Sequence, residues 1–181
     1  MSNIMSSVLP KVEDQLLLGE FDFDFRRRFA EIIIQIGSMT KAKGMFLEVF
    51  VAPQVPRFLS ANPQVIEEIV CSLAIHLLGN MDEGGLSIEV DSVAYRDTGD
   101  HMLQVTITAT GAGQAAMKYH RLHLLGKKGP SFFCGPFDAA MDLTRRIGGE
   151  IAMKKINGQS MSYIFRGQFK EGSGPAAMID H

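Results

Sequence analysis

Glu68, Ser72 and His76 stand four residues apart, so on a helix they form one polar stripe. The residue types limit what such a stripe can do. A histidine and a carboxylate eight residues apart offer two ligands to a transition metal, which is too few for a site, and no metal centre is read from this chain. Glu67 and Glu68 have the chemistry of general bases, yet no nucleophile or metal stands with them, and Ser72 has no base partner. Thr110-Gly111-Ala112-Gly113 is glycine-rich, but it lies between a strand-like run and an irregular segment. His120 and His123, flanked by Lys118 and Arg121, have the chemistry to accept a phosphoryl group or hold an anion; the simpler reading is a solvated basic segment.

The stripe needs a helix to carry it. Asn62-Pro63 reads as a helix start, with Asn as N-cap and Pro in the first turn. From there to Gly79, Ile66, Ile69, Val70, Leu73 and Leu77 recur at helical spacing and form a core face. His76 is expected to line a pocket, partly exposed. An earlier helix is expected from Phe23-Asp24-Phe25 to about Lys43, with Phe25, Phe29, Ile32, Ile33 and Ile36 on one face. Arg26, Arg27 and Arg28 are read as its wet face, and Gly44 ends it. A third helix runs from Phe137 to Ile147, capped by Gly148-Gly149.

Strands are expected at Met45–Val51, Leu86–Tyr95 and His101–Thr110, the last two forming an antiparallel pair through the turn at Asp97–Asp100, with Gly84-Gly85 turning the chain ahead of them. Glu150–Lys155 and Ser160–Phe169 form a closing hairpin turned at Asn157-Gly158. This order predicts an α+β fold: a two-layer sandwich with helices on one face of a mixed, mostly antiparallel sheet. Residues 1–20 read as an N-terminal extension, 21–170 as one domain and 171–181 as a flexible tail.

With 181 residues, 46% of them hydrophobic, the chain can bury one sizeable core. A net charge of -2 gives no reason to expect nucleic acid or a membrane surface as partner. Cys71 and Cys134 are too few for a disulfide framework and are read as reduced thiols of a cytoplasmic protein. The start lacks the basic and apolar regions of a signal peptide, and no apolar run is long enough to span a bilayer.

Three stretches in this order resemble the ATP-binding domain of sensor histidine kinases, of the superfamily that also holds DNA gyrase B, Hsp90 and MutL (the Bergerat fold). FDFRRRFAEIIIQIGSMTKAKG resembles the opening helix of that domain. VAPQVPRFLSANPQVIEEI resembles its valine-proline stretch followed by Asp-Pro-x-x-Leu-x-Gln, and IGGEIAMKKINGQSMSYIFRGQF its terminal Gly-Gly, strand, glycine turn and strand. The resemblance covers roughly residues 12 to 170.

The resemblance implies an ATP site, and this sequence departs from it at the site positions. The two asparagines of the central helix, the second of which helps hold Mg²⁺, fall on Ser72 and His76. Mg²⁺ wants hard oxygen ligands, which a carboxamide supplies and an imidazole does not. The first glycine box, Asp-x-Gly-x-Gly, falls on Ala109-Thr110-Gly111-Ala112-Gly113. Its glycines remain, but Ala109 offers no acceptor for the adenine amino group. The second glycine box falls near Gly135, where Pro136 lacks the N–H a phosphate would need. Losing the adenine and magnesium contacts together would cost roughly 3–6 kcal/mol, or about 10²- to 10⁴-fold in affinity.

The expectation is therefore a degenerate histidine-kinase-like ATPase domain without cofactor. It would act as a non-catalytic interaction or regulatory module in bacterial two-component signalling. A kinase helical hairpin or a response-regulator receiver domain would be its protein partner. The alternative is an atypical but active ATP- and Mg²⁺-binding kinase or ATPase domain, against which a cavity filled by Phe132, Phe133 or Phe137 would count. The second alternative is a histidine phosphotransferase. It ranks last, because the resemblance places the phosphorylated histidine on a preceding hairpin, and His76, His101, His120, His123 and His181 do not precede the domain.

Overall fold

The computed structural model describes residues 19–112, 131–157 and 160–174. Among them run β1 (Phe21–Asp24), α1 (Phe25–Ala42), β2 (Phe46–Val51), β3 (Phe58–Ala61), α2 (Pro63–Gly79), β4 (Met81–Ala94), β5 (Asp100–Ala112), α3 (Ser131–Arg146), β6 (Glu150–Asn157) and β7 (Ser160–Glu171). The strands form one sheet in the order β1-β3-β7-β5-β4-β2. β6 also pairs with β7, along its first half, on the edge that β3 takes up at Lys170 and Glu171. Only β2 and β4 pair parallel; the remaining pairs are antiparallel. The α+β sandwich is thus the observed architecture.

Period-two alternation decides which face the helices cover. Leu86, Ile88 and Val90 of β4, Leu103, Val105, Ile107 and Ala109 of β5, and Met161, Tyr163 and Phe165 of β7 are all buried. They meet Phe25, Phe29, Ile32 and Ile36 of α1, the apolar face of α2, and Phe137 and Ala140 of α3 in one core. The opposite face carries Thr106, Thr108, Gln104 and Arg166, with Arg166 donating to Gln104 and Glu150, both at 2.8 Å.

Helix ends follow local chemistry. Asn62 accepts from the Gln64 N–H and Pro63 opens α2, as the residue types dictate. After α1, Gly44 takes φ 68°, with Met45 N–H donating to Thr40 O and Gly44 N–H to Lys41 O. Gly148 and Gly149 repeat this pattern after α3.

Several expectations are corrected. Phe23 and Asp24 belong to β1, and Asp24 is the N-cap of α1 rather than part of its first turn. Neither β1 nor β3 was expected. Each has four residues, too few to show a period, and each is held by the other. Gly84-Gly85 is not a free turn: β4 runs through both, with a register irregularity between Met81 and Gly85. Helix α3 starts at Ser131, ahead of Pro136, which lies inside it. Two of the three arginines are anchors, not a wet face: Arg26 donates to the carbonyls of Ala52 and Val55, and Arg28 to Glu31 and Glu67. Gly172 N–H is bonded to Phe58 O and Ser173 to Asp22, and residues 175–181 of the expected tail lie outside the described residues. The expected turn at 158 and the irregular segment after Gly113 lie outside the described residues.

Asp24 therefore joins three elements: it ends β1, accepts the Arg27 N–H of α1 at 3.0 Å, and pairs with Arg57 beside β3 at 3.0 Å. The helix N–H, and then Arg57, hold its carboxyl below the ordinary carboxylate range. A depressed pKa contributes stability above the unfolded value, which is lost as pH falls through the folded one. Asp24→Ala should cost about 1 kcal/mol and lower Tm by roughly 2–4 °C at pH 7. In thermal melts the gap between wild type and variant should close as pH falls through the acid range below about 4.

Candidate functional site

α2 is buried along most of its surface. Val65, Ile66, Ile69, Val70, Leu73, Ala74, Leu77 and Leu78 are all in the core, and His76 joins them at 8% exposure. The polar stripe of Glu68, Ser72 and His76 is thus not one environment. Glu68 is exposed, Ser72 is half-buried, and His76 is inside. The expected partly exposed, pocket-lining histidine is corrected to a core imidazole. Its ring sits 5.4 Å from Phe137 of α3 and 6.0 Å from Tyr163 of β7, and those two rings lie 5.1 Å apart. The three tilted rings close a triangle between two helices and the sheet.

Ala109 is fully buried on the same face of the sheet as Ile107, the cross-strand partner of Tyr163; its own partners are Leu86 and Met161. Thr110, one residue on, points to the other face and is exposed. Gly111 takes φ 92° and lies against Gly84, itself at φ 89°. A Cβ at Gly111 would come 2.6 Å from the Glu83 carbonyl oxygen, and one at Gly84 would come 1.9 Å from that of Thr110. Two backbones meet here, and only glycine lets them. Gly135 is exposed, and a Cβ there would meet nothing within 4 Å. Gly113, His120 and His123 lie outside the described residues.

The structure thus joins His76 to Phe137 and Tyr163 and leaves Gly135 outside that contact set. Tyr163 had no place among the site residues read from sequence. Its signal was period-two phasing with Met161 and Phe165, which says "core" without saying which core residue it meets. Glu67, considered as a base, instead takes Arg28 at 2.5 Å and Gln35 at 2.9 Å, tying α1 to α2. Burial, and then the Glu67 charge, push the neighbouring Cys71 thiol up to about 11, the range of an inert thiol. No group of three His, Cys, Asp or Glu side chains that could hold a metal occurs among the described residues.

A cleft of about 440 Å³ opens elsewhere, between the N-terminus of α2 and the C-terminus of α3, lined by Ser60, Asn62, Ile66, Asp100, Arg146 and Lys170 among others. Its rim charges are satisfied locally: Lys170 pairs with Glu20 at 3.2 Å, and Gln168 donates to Asp100 at 2.7 Å. None of Ser72, His76 and Ala109 lines it.

This arrangement of sheet and helices has known counterparts. Full-length ShkA in complex with AMPPNP matches at 17% identity and TM-score 0.67, over 86% of this chain and 32% of that one. A histidine kinase from Burkholderia phymatum matches at 15% and 0.63, over 87% and 75%. The nucleotide-free catalytic domain of histidine kinase ThkA matches at 13% and 0.57, over 81% and 93%. No protein-family model matches the chain, and no curated protein does. The chain has the fold of the histidine-kinase ATP-binding domain, and it spans about a third of the length of full-length ShkA. No helix among the described residues is long and apolar enough to cross a membrane.

Gly111, read from the sequence as a glycine-box position, is required here by the close approach of the Glu83 backbone. Gly111→Ala should therefore destabilise the nucleotide-free protein by about 1–3 kcal/mol from the positive φ alone, before the clash with Glu83. Gly135→Ala should be close to neutral or slightly stabilising, within about 1 kcal/mol. Urea titrations of the two variants, run without nucleotide, make the comparison.

Proposed function

We propose that this chain is a degenerate histidine-kinase-like ATPase domain that works as a non-catalytic interaction or regulatory module in two-component signalling. The observation that carries this reading is the His76–Phe137–Tyr163 ring cluster at the position that corresponds to the magnesium-holding asparagine. An imidazole packed against two aromatic rings presents no hard oxygen to Mg²⁺. Ala109, fully buried, presents no acceptor to an adenine amino group. Pro136 carries no part of this reading: α3 starts at Ser131, so position 136 lies past the first-turn N–H groups that a phosphate could use, and that expectation is corrected. His76 and Ala109 are chemically unsuited to Mg-ATP, and both are buried in the core. The described residues at these two positions do not fit Mg-ATP.

What remains is a sandwich scaffold, for which a protein partner is proposed. A kinase helical hairpin or a receiver domain is the partner expected of a domain of this architecture, an expectation that rests on analogy with its counterparts. The reading as an atypical but active domain has no described residue to carry it.

Isothermal titration calorimetry with Mg-ATP and with Mg-ADP tests the proposal. No saturable heat should appear below about 1 mM nucleotide; binding tighter than about 100 μM would sink it. A second measurement separates a filled site from a misfolded sample. Phe137→Ala should lose about 3–5 kcal/mol of stability, as a core aromatic does, without gaining nucleotide binding.

A further inference from the structure

Strand β2 ends the sheet, and no described strand lies beyond it. The Ala52 N–H donates to Val90 O at 2.9 Å, across to β4. Parallel pairing alternates, so the backbone groups of Phe46, Glu48 and Phe50 turn towards β4 and those of Leu47, Val49 and Val51 turn outward. Natural edges are usually blunted by lysine, proline or a bulge. This one has none of them: the sequence is FLEVFV and the register runs unbroken from Phe46↔Gly85 to Val51↔Val90. Apart from Glu48 its exposed side chains are apolar, with Phe46 48%, Val49 41% and Phe50 60% exposed. The Phe46 ring is seated over Gly85, where a Cβ would come 2.5 Å from its Cγ, so the ring is held in place. Helix α1 flanks the edge, with Gly37 3.6 Å short of the Leu47 Cδ2 at its notional Cβ, and Ile34, one turn earlier, is 69% exposed.

A self-associating edge must be complementary to itself. Around Glu48 this strand is: Phe46 and Phe50 stand two residues to either side on one face, Leu47 and Val49 one residue to either side on the other. We infer that two copies of this chain associate by pairing β2 antiparallel to β2 about a two-fold axis at Glu48, joining their sheets into one. In that register Phe46 stands opposite Phe50 of the second copy, twice, at the non-hydrogen-bonded positions where side chains approach most closely. The outward backbone groups of Leu47 and Val49 exchange hydrogen bonds. The cost is Glu48 facing its own copy, a like-charge pair that weakens the contact. The patch is small, so the equilibrium is that of a transient dimer rather than an obligate one.

Sedimentation velocity on the full chain from about 10 μM to 1 mM should show a closed monomer–dimer equilibrium in the high-micromolar range. Phe50→Lys and Val49→Lys, both at exposed positions, should weaken it at least about tenfold, and Glu48→Gln should tighten it at least about threefold. Circular dichroism confirms that each variant folds. Glu48→Cys places two thiols at the two-fold, where cross-strand Cα atoms about 4.5 Å apart permit a disulfide, so mild oxidation should give covalent dimer well above the wild-type background. A monomer throughout the range, open-ended oligomers, or association indifferent to Phe50→Lys and Glu48→Gln would overturn the inference. Faster crosslinking of Val49→Cys than of Glu48→Cys would overturn the register.

Discussion

The burial of α2 governs the rest of this structure. The helix is apolar around most of its circumference, and the sheet, α1 and α3 each take a side of it. A helix in that position has little surface left for a polar stripe. His76 falls on a side that α3 and β7 close, so its ring becomes a packing element between Phe137 and Tyr163. Removing one of these rings from a close-packed core leaves a void that its neighbours fill only in part. The position most suggestive of ligand chemistry is thereby also a packing position.

The glycines teach a related point. Gly111 and Gly135 are chemically identical, and both were read from the sequence as glycine-box positions, yet their surroundings differ. Gly111 is required because the end of β5 runs against the irregular start of β4, leaving no room for a Cβ beside Glu83 and Gly84. Among the described residues, nothing lies close enough to Gly135 to exclude a side chain. A retained glycine therefore reports on backbone geometry first and on phosphate binding only if donors converge there.

Polar ties set the periphery, where the hydrophobic pattern is weak. Asp24, Arg26 and Arg28 each join elements distant in sequence: Asp24 reaches Arg57, Arg26 the carbonyls around Val55, and Arg28 Glu67 of α2. The Asp24–Arg57 pair helps position β1 and β3, whose four residues each cannot hold a sheet edge by side-chain burial alone, while Arg28 ties α1 to α2. The same edge gains Ser173 on Asp22, which extends order into what reads as a tail.

The repeat of apolar residues was enough to determine the sandwich. Ile66, Ile69, Val70, Leu73 and Leu77 placed α2, Asn62 and Gly44 placed helix ends, and alternation placed β4, β5 and β7. Each of these is a local rule with a period or a cap behind it. The residue types also settled, without coordinates, that Ala109 has no acceptor and Pro136 no N–H. Neither β1 nor β3 was legible, because a four-residue strand exists only through its partner. Nor was the fate of His76: helical spacing says which residues share a face, but not what that face meets. Only the tertiary structure could bring Phe137 and Tyr163, 26 residues apart in sequence, onto one imidazole, and only it could show Arg28 turned inward to Glu67. Periodicity is a property of one segment, whereas a site is a meeting of several.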